Sequence, residues 1–501
     1  MRLDSEGKLW LFYSAALISL GIVRSIYTWV TGYVLPDEVV YYLMAHNYFE
    51  GNGLLFAFFT RFGYQIYATV LSIMFNLHIF QSYVAFQAML SSMMAVVSLY
   101  LVKQICALEG YESRYSVAFV FMVPIFIAMV PMALTETMTL LLLLASSYFV
   151  LTKRYMWGCA CMGFCVFMRE VYFLFVVANL LYLFHMKASR RVILSYGGVL
   201  AAMLFLLFNR FSFASQVPIL GALRLAIEHD TLPYIPSFLG RTYETVSLGG
   251  RLVSLVRNSL AGYALGFGLI AVFSLVGFFY AIWKRRFSYS FLIGFTSALT
   301  YGGTVWEQSY YAMYLTFDRV STFIRYAHPL ILLIFPLAFL LTEKPKLKKP
   351  MLLAIVASLV VSGIYLPSQL QSALSVNKVN RLSFDYRAPY LQVADYVAGS
   401  PKTLILAEPS VTLDLYVQNA DTKVLTPPVT REEFEAMLPD YERVLLYGEL
   451  HSTHYTALSD SRPWYYEIVV DKTRYDILLD FPDFYLYQLK TDAFKCQQPQ
   501  P

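Results

Sequence analysis

The chain has 501 residues, of which 58% are hydrophobic, 17% aromatic and only 14% charged, with a mean hydropathy of +0.54. Soluble globular domains carry about 25% charged residues, so composition excludes a water-soluble enzyme of this length, and a disordered chain as well. The formal charge of +5 is too small to point to nucleic acid. A polytopic membrane protein remains.

The charge is unevenly placed. From Pro367 onward there are 12 basic and 18 acidic residues, a net of −6. Against totals of 38 and 33, that leaves 26 basic and 15 acidic residues before it, a net of +11. The composition changes at the same place, from long apolar runs to mixed polar sequence. Residues 1–366 therefore read as a membrane body with a first outer loop at 34–82, and residues 367–501 as a soluble C-terminal domain.

A bilayer-crossing helix needs roughly 20 mostly apolar residues. Eleven candidate spans fall near 9–31, 83–102, 115–132, 136–152, 155–168, 171–186, 192–210, 259–282, 288–304, 321–341 and 350–366. The run 54–80 is apolar too, but it holds Arg61 and Gln65 and is expected to be an interfacial helix. The first span is too long and too poor in a cleavage motif for a signal peptide, so it is expected to be retained.

Basic residues test this arrangement, because they concentrate on the cytoplasmic side. With the N-terminus inside, the cytoplasmic ends collect Arg2 and Lys8, Lys103 and Arg114, Lys153 and Arg154, and Lys187, Arg190 and Arg191. Further along they collect Lys284, Arg285 and Arg286, then Lys344, Lys346, Lys348 and Lys349. These are 16 of the 26 basic residues of the body and include all of its lysines. Counting 54–80 as a span would put the following clusters outside. Eleven spans place the C-terminal domain on the non-cytoplasmic side of a plasma membrane, or in the lumen of the endoplasmic reticulum in a eukaryote. The five cysteines give neither a disulfide framework nor a metal spacing.

The outer loop from Leu35 to Gly53 is the most informative segment. Pro36 suits the first position of a helix, which puts Asp37 and Glu38 in a first turn where the helix dipole favours negative charge. Two adjacent carboxylates at a membrane surface can act as a general base, a metal ligand or both; an ordinary acidic helix start is the plain alternative. Glu136 opens a later span from the outer side, where an acid is costly and usually faces a cavity. Arg169 and Glu170 at the next outer turn read equally as a mutual ion pair. Arg325 lies about a turn and a half deeper than Arg319 in the segment 318–329. Every outer basic residue is an arginine, whose guanidinium matches phosphate in a bidentate fork. Pairing with lipid head groups or local acids would serve them too.

After residue 367 the elements alternate. Helices are expected at Tyr390–Val397, Ser410–Val417 and Thr430–Leu438, the last with Thr430 and Glu433 as a capping box. Strands are expected at Thr403–Ala407, Lys423–Leu425, Arg443–Tyr447, Tyr466–Val470 and Phe484–Leu489. The pattern suggests a small α/β domain. His451 and His454 fall in a polar loop with no third ligand evident.

Taken together, these residues resemble the GT-C membrane glycosyltransferases, and within them the branch of protein O-mannosyltransferases and lipid A aminoarabinose transferases. The resemblance covers roughly the first 340 residues. Asp37-Glu38 matches the first acidic motif, Tyr42, His46 and Gly53 follow it, and Glu136 matches the second acidic position. Arg325-Tyr326 with Pro329 resembles the start of a late span that meets the donor phosphate. The sequence departs from the pattern at Thr60-Arg61-Phe62, where a Pro-Pro pair is common, and in having Glu rather than Asp at 136. It also lacks the W-W-D-Y-G of oligosaccharyltransferases, which sets that branch aside.

The resemblance implies an inverting transfer from a polyprenyl-phosphate sugar to an acceptor hydroxyl of a glycan, lipid or protein on the outer face. Asp37 would be the base, with Glu38 second, and Glu136 would hold the acceptor or a metal. Arg325, with Arg169 and Arg319, would bind the donor phosphate. Tyr42, His46 and Tyr326 would line the substrate groove, and a divalent ion at Asp37 and Glu136 is the one cofactor implied. Two rivals stand beside it. A transporter or flippase predicts broken mid-membrane helices and repeats, and a non-enzymatic membrane subunit has no need of the outer acids and arginines. The sugar, the acceptor and the oligomeric state are open.

Overall fold

The computed structural model describes residues 5–31, 62–77, 80–111, 135–169, 172–215, 268–309, 328–358, 388–408, 421–425, 436–449, 475–480 and 484–490, with a few single positions between. The described residues fall into two compact units, one helical within residues 5–207 and 268–360, the other an α/β unit from residue 388 that also takes in residues 208–215.

In the helical unit the elements are α1 (Ser5–Thr31), α2 (Phe62–Phe75), α3 (Phe80–Leu108), α4 (Thr135–Leu151), α5 (Tyr155–Met168), α6 (Phe173–His185) and α7 (Arg190–Ser215). They continue as α8 (Ile270–Trp283), α9 (Tyr289–Ser309), a 3-10 turn at His328–Leu333 leading into α10 (Ile334–Glu343), and a helical stretch at 348–358. Each except α2 overlaps an expected span, and α5 coincides with one end to end. The expected span 115–132 and the first half of 259–282 lie outside the described residues. Among the described residues, two helices are long and apolar enough to cross a bilayer, within Gly7–Val30 and Ser82–Leu108. The six shorter apolar helices include α4, α5, α6 and α8. Helix α2 lies within the run 54–80 expected to be interfacial.

The side-chain pattern is inverted relative to a soluble protein. Leu11, Phe12, Val23, Val30, Trp157, Phe164, Val272, Phe279 and Trp283 are exposed, whereas Ser92, Ser98, Thr139, Ser146, Ser147, Asn179 and Ser297 are buried. Large outward apolar surfaces are favourable only in an apolar solvent, so the surroundings this unit demands are lipid. Helices then meet through small residues that let backbones approach. A Cβ on Gly21 of α1 would lie 2.5 Å from the Ser92 hydroxyl and 3.0 Å from the Ala88 carbonyl of α3. On Gly277 of α8 it would lie 2.7 Å from the Pro336 carbonyl of α10.

Helix α10 is buried along almost its whole length, from Ile334 to Leu341. Its entry through a 3-10 turn has a local cause. Pro336 is the third helical residue, where the missing N–H is one that has no intrahelical partner in any helix.

One end of the unit collects the basic residues. The Lys284 and Lys344 ammoniums lie over the Tyr280 ring, each at 5.9 Å, and the Arg286 guanidinium lies over Phe339 at 5.9 Å. Tyr111, just past α3, packs on Phe339 and shares a 2.5 Å hydrogen bond with Ser288. Burial pushes its phenol up to about 12, so it stays neutral. Tyr289 donates to the Asn179 Oδ1 at 2.6 Å, bringing the last turns of α6 to the start of α9. The α4–α5 turn with Lys153 and Arg154 lines an open cavity together with Val192 at the start of α7.

The second unit is built on a five-stranded sheet in the order β2-β1-β3-β5-β4, with β1 (Thr403–Glu408), β2 (Thr422–Leu425), β3 (Arg443–Glu449), β4 (Tyr475–Asp480) and β5 (Phe484–Leu489). Strand β1 pairs in parallel with β2 and β3, and β5 runs antiparallel to both β3 and β4. Consecutive residues Leu404, Ile405 and Leu406, like Val444 to Tyr447, are all buried, so the central strands are covered on both faces. The helix α11 (Ala388–Val397) contributes Val393 and Val397 to that core. Arg443 ties the pieces together. Its Nε donates to Gln488 at 3.0 Å, one terminal nitrogen to Ser400 and the other to Tyr396, whose ring it also covers at 4.6 Å. Four of the expected strands are present, and β4 was not anticipated. The expected strand Tyr466–Val470, most of the expected helices at Ser410–Val417 and Thr430–Leu438, and the histidine loop lie outside the described residues.

Candidate functional site

The end of the helical unit opposite the basic cluster holds a buried acid and a buried arginine. Helices α4 and α5 form an antiparallel hairpin, so the N-terminus of α4 comes to rest beside the C-terminus of α5. Glu136 lies in the first turn of α4, and Arg169 immediately follows α5. Each charge therefore sits at the helix end whose dipole favours its sign. The Arg169 guanidinium donates to the Glu136 carboxylate at 2.5 Å and to the Thr135 hydroxyl at 3.4 Å; the two charged side chains are 5% and 1% exposed. The Thr135 hydroxyl reaches the other carboxylate oxygen at 3.4 Å. The Thr139 hydroxyl, one turn on, bonds back to the carbonyls of Thr135 and Glu136, and the Cys165 thiol bonds to the Thr139 carbonyl. The pair is thus locked to both helices.

Helix α2 starts against this hairpin. A Cβ on Gly63 would lie 2.9 Å from the backbone carbon of Phe167, two residues before Arg169. From there α2 presents polar groups to α3. Buried Tyr64 and Tyr83 share a hydrogen bond of 3.3 Å, and the Tyr67 hydroxyl donates to Gln87 at 3.1 Å. Arg24 and Thr28, in the C-terminal half of α1, are 5% and 0% exposed and lie one turn apart. Ser25 between them bonds the carbonyls of Gly21 and Ala85, which fixes that half of α1 to α3. Gln87 Nε2, Thr28 Oγ1 and Thr69 Oγ1 are buried without a hydrogen-bond partner among the described residues. Buried polar atoms are nearly always satisfied, so this end has a surplus of hydrogen-bonding capacity.

Of the residues expected in the site, Glu136 and Arg169 are described and the structure brings them together. Arg169 holds Glu136; the expected pairing of Arg169 with Glu170 falls on Glu170, which lies outside the described residues. Asp37, Glu38, Tyr42, His46, Arg319, Arg325 and Tyr326 also lie outside them. Sequence reasoning did not single out Tyr64, Tyr67, Tyr83 or Gln87. The one signal available was the amide of Gln87 inside an otherwise apolar run.

For a divalent ion, the described half of the expected ligand set fits poorly. A guanidinium occupies one oxygen of Glu136, and a second cation beside it would be repelled. Among the described residues, no group of three His, Cys, Asp or Glu side chains could hold a metal.

A buried polar end, a basic end and an apolar girdle are the arrangement of an integral membrane protein. Comparison with known proteins adds the fold. No family model matches the sequence, and no curated protein matches it either. The chain is similar in structure to the Archaeoglobus fulgidus oligosaccharyltransferase crystallised with Zn and sulfate. The TM-score is 0.50 at 11% identity, over 96% of this chain and 72% of that one. It is also similar to the archaeal oligosaccharyltransferase AglB of the same organism with an inhibitory peptide and a dolichol-phosphate, at TM-score 0.45 and 10% identity over 89% and 71%. A third is ArnT from Cupriavidus metallidurans bound to undecaprenyl phosphate, at 0.44 and 13% over 99% and 100%. At this identity the first likeness shows the fold alone: the chain shares the fold of the Archaeoglobus fulgidus oligosaccharyltransferase. The likeness bears on the fold and not on a branch within it.

Proposed function

We propose that this protein is a membrane glycosyltransferase that moves a sugar from a polyprenyl phosphate to an acceptor hydroxyl on the non-cytoplasmic face. The observation that carries the reading is the GT-C fold over 96% of the chain. In that fold the sequence supplies an acid pair, a second acid and outer arginines in matching order. Two of the neighbours are described as bound to dolichol-phosphate or undecaprenyl phosphate; a lipid-linked donor is the inference drawn for this chain. About eleven spans, an N-terminus inside and an exterior α/β domain from residue 367 belong to the same proposal.

In the proposed chemistry, Asp37, or Glu38 beside it, takes the proton of the acceptor hydroxyl as its oxygen attacks the anomeric carbon. The bond from that carbon to the donor phosphate oxygen breaks with inversion, and polyprenyl phosphate leaves. Arg325 and Arg319 hold the charge that grows on the leaving phosphate. Arg169 acts differently from a free phosphate ligand. With one nitrogen on Glu136, it fixes that acid at the mouth of α4 as a hydrogen-bond acceptor for the incoming hydroxyl. A neighbouring structure was solved with Zn, but no step here is routed through a metal. Transfer to acceptor by wild type and by Asp37→Asn, with binding of the donor measured in parallel, tests the role of the base. Expected is a loss of turnover of about 100-fold or more with donor binding kept. Unchanged turnover would remove Asp37 as base.

A further inference from the structure

At the basic end, the turn joining α4 to α5 carries a feature that glycosyl transfer does not use. Helix α4 closes with the Arg154 N–H donating to the Phe149 carbonyl at 2.7 Å and the Lys153 N–H to the Val150 carbonyl at 3.1 Å. This closure needs a left-handed residue, the place glycine ordinarily fills, and Lys153 stands there with φ 61°. The same closure recurs at Lys187 with φ 51° and Arg285 with φ 52°. Beside Lys153 lies an open cavity of about 440 Å³ lined by Lys153, Arg154, Tyr155, Met156, Trp157 and Val192. Its lining has two cations, no carboxylate, two aromatic rings and an apolar wall. The Ser195 hydroxyl touches the Met156 sulfur at 3.8 Å, which helps to hold α7 at the rim. Helix α5 begins with no side-chain cap and no acid in its first turn, adding positive potential. From Trp157 an exposed apolar strip continues two turns along α5 to Phe164.

The geometry points to a binding site for an anionic phospholipid: its head-group phosphate sits between Lys153 and Arg154, and an acyl chain lies along Trp157 and Phe164. Basic pockets between helices on the cytoplasmic side suit this chemistry. A free phosphate would use the two cations and leave the apolar strip without a purpose, so the lipid is the occupant the surface fits. The site is separate from the proposed donor site, because the 17 residues of α4 put about 25 Å between Glu136 and this turn. The inference rests on the reading of the chain as a membrane protein and not on its reaction.

The test is native mass spectrometry of the full chain released from micelles containing phosphatidylglycerol and phosphatidylcholine. Wild type should retain one phosphatidylglycerol in preference to phosphatidylcholine. Lys153→Gln/Arg154→Gln should weaken that retention about 25-fold, roughly a factor of five per charge at low salt. Lys153→Arg/Arg154→Lys should keep it, and both variants should melt with wild type, since these side chains are exposed. Equal retention of phosphatidylglycerol by wild type and the Gln variant would overturn the proposal, as would equal retention of the two lipids by wild type. Displacement of the lipid by millimolar inorganic phosphate would overturn the lipid assignment in favour of a free anion. Turnover is not read, so failure here and failure of the proposed reaction are distinguishable.

Discussion

Removing one partner of the Glu136–Arg169 pair should be far worse than removing both. The two side chains are 5% and 1% exposed and in contact at 2.5 Å, between helix ends whose dipoles stabilise each charge. Arg169→Met leaves a buried carboxylate with its guanidinium gone, and Glu136→Gln leaves a buried cation against a neutral amide. Either change should destabilise the protein by about 3–5 kcal/mol. Replacing both with Glu136→Gln/Arg169→Met leaves no isolated charge, so the double variant should recover most of that loss. Because the double should lose less than either single, the coupling between the two sites must exceed one single loss, about 3 kcal/mol or more. Denaturation of the purified protein by sodium dodecyl sulfate, followed by circular dichroism for the four members of the cycle, measures it. Single variants that lose less than about 1 kcal/mol, or losses that simply add in the double, would refute a clasp at this position. Arg169→Lys separates charge from geometry. A point charge replaces the fork, so part of the stability should return while acceptor KM rises, because Glu136 is less well oriented.

The close approach of α1 and α3 makes Gly21→Leu a severe change, since its first side-chain atom already lies 2.5 Å from the Ser92 hydroxyl; the variant should melt well below wild type by tryptophan fluorescence, whereas Val23→Leu on the exposed face should not. In the sheet unit, Arg443→Ala loses hydrogen bonds to Gln488, Ser400 and Tyr396 together. It should destabilise the unit by about 1–3 kcal/mol, read as faster hydrogen exchange of β1, β3 and β5; exchange unchanged in those strands would contradict the role given to Arg443.

Much of the helical unit was legible because its turns are punctuated by charge. Lys153-Arg154 and Lys187 interrupt apolar runs, and so α4, α5 and α6 fall close to where the sequence puts them. The junction at residue 334 was not legible as such, since the apolar run crosses it unbroken and only Pro336 decides where the α-helix starts. Strand β4 was missed for a definable reason. Its pairing with β5 shifts between Ile477 and Leu479, and the irregularity breaks the period-two alternation by which a strand is recognised. In the site, the acid of Glu136 could be read from its place at the head of a span, but its partner could not. The contact joins residues 33 apart, and only the hairpin of α4 and α5 brings them together. The arrangement of Tyr64, Tyr67, Tyr83 and Gln87 depends on how α2 crosses α3, which no local pattern encodes.

The central claim is that a bond between a sugar and a polyprenyl phosphate is broken at the non-cytoplasmic face. The most direct measurement is release of polyprenyl phosphate by wild-type protein in proteoliposomes, supplied with a panel of polyprenyl-phosphate sugars and sugar acceptors. Acceptor-dependent release with at least one donor is expected, with the new glycosidic bond inverted. Movement of intact donor across the bilayer without release, or no release with any donor in the panel, would contradict it.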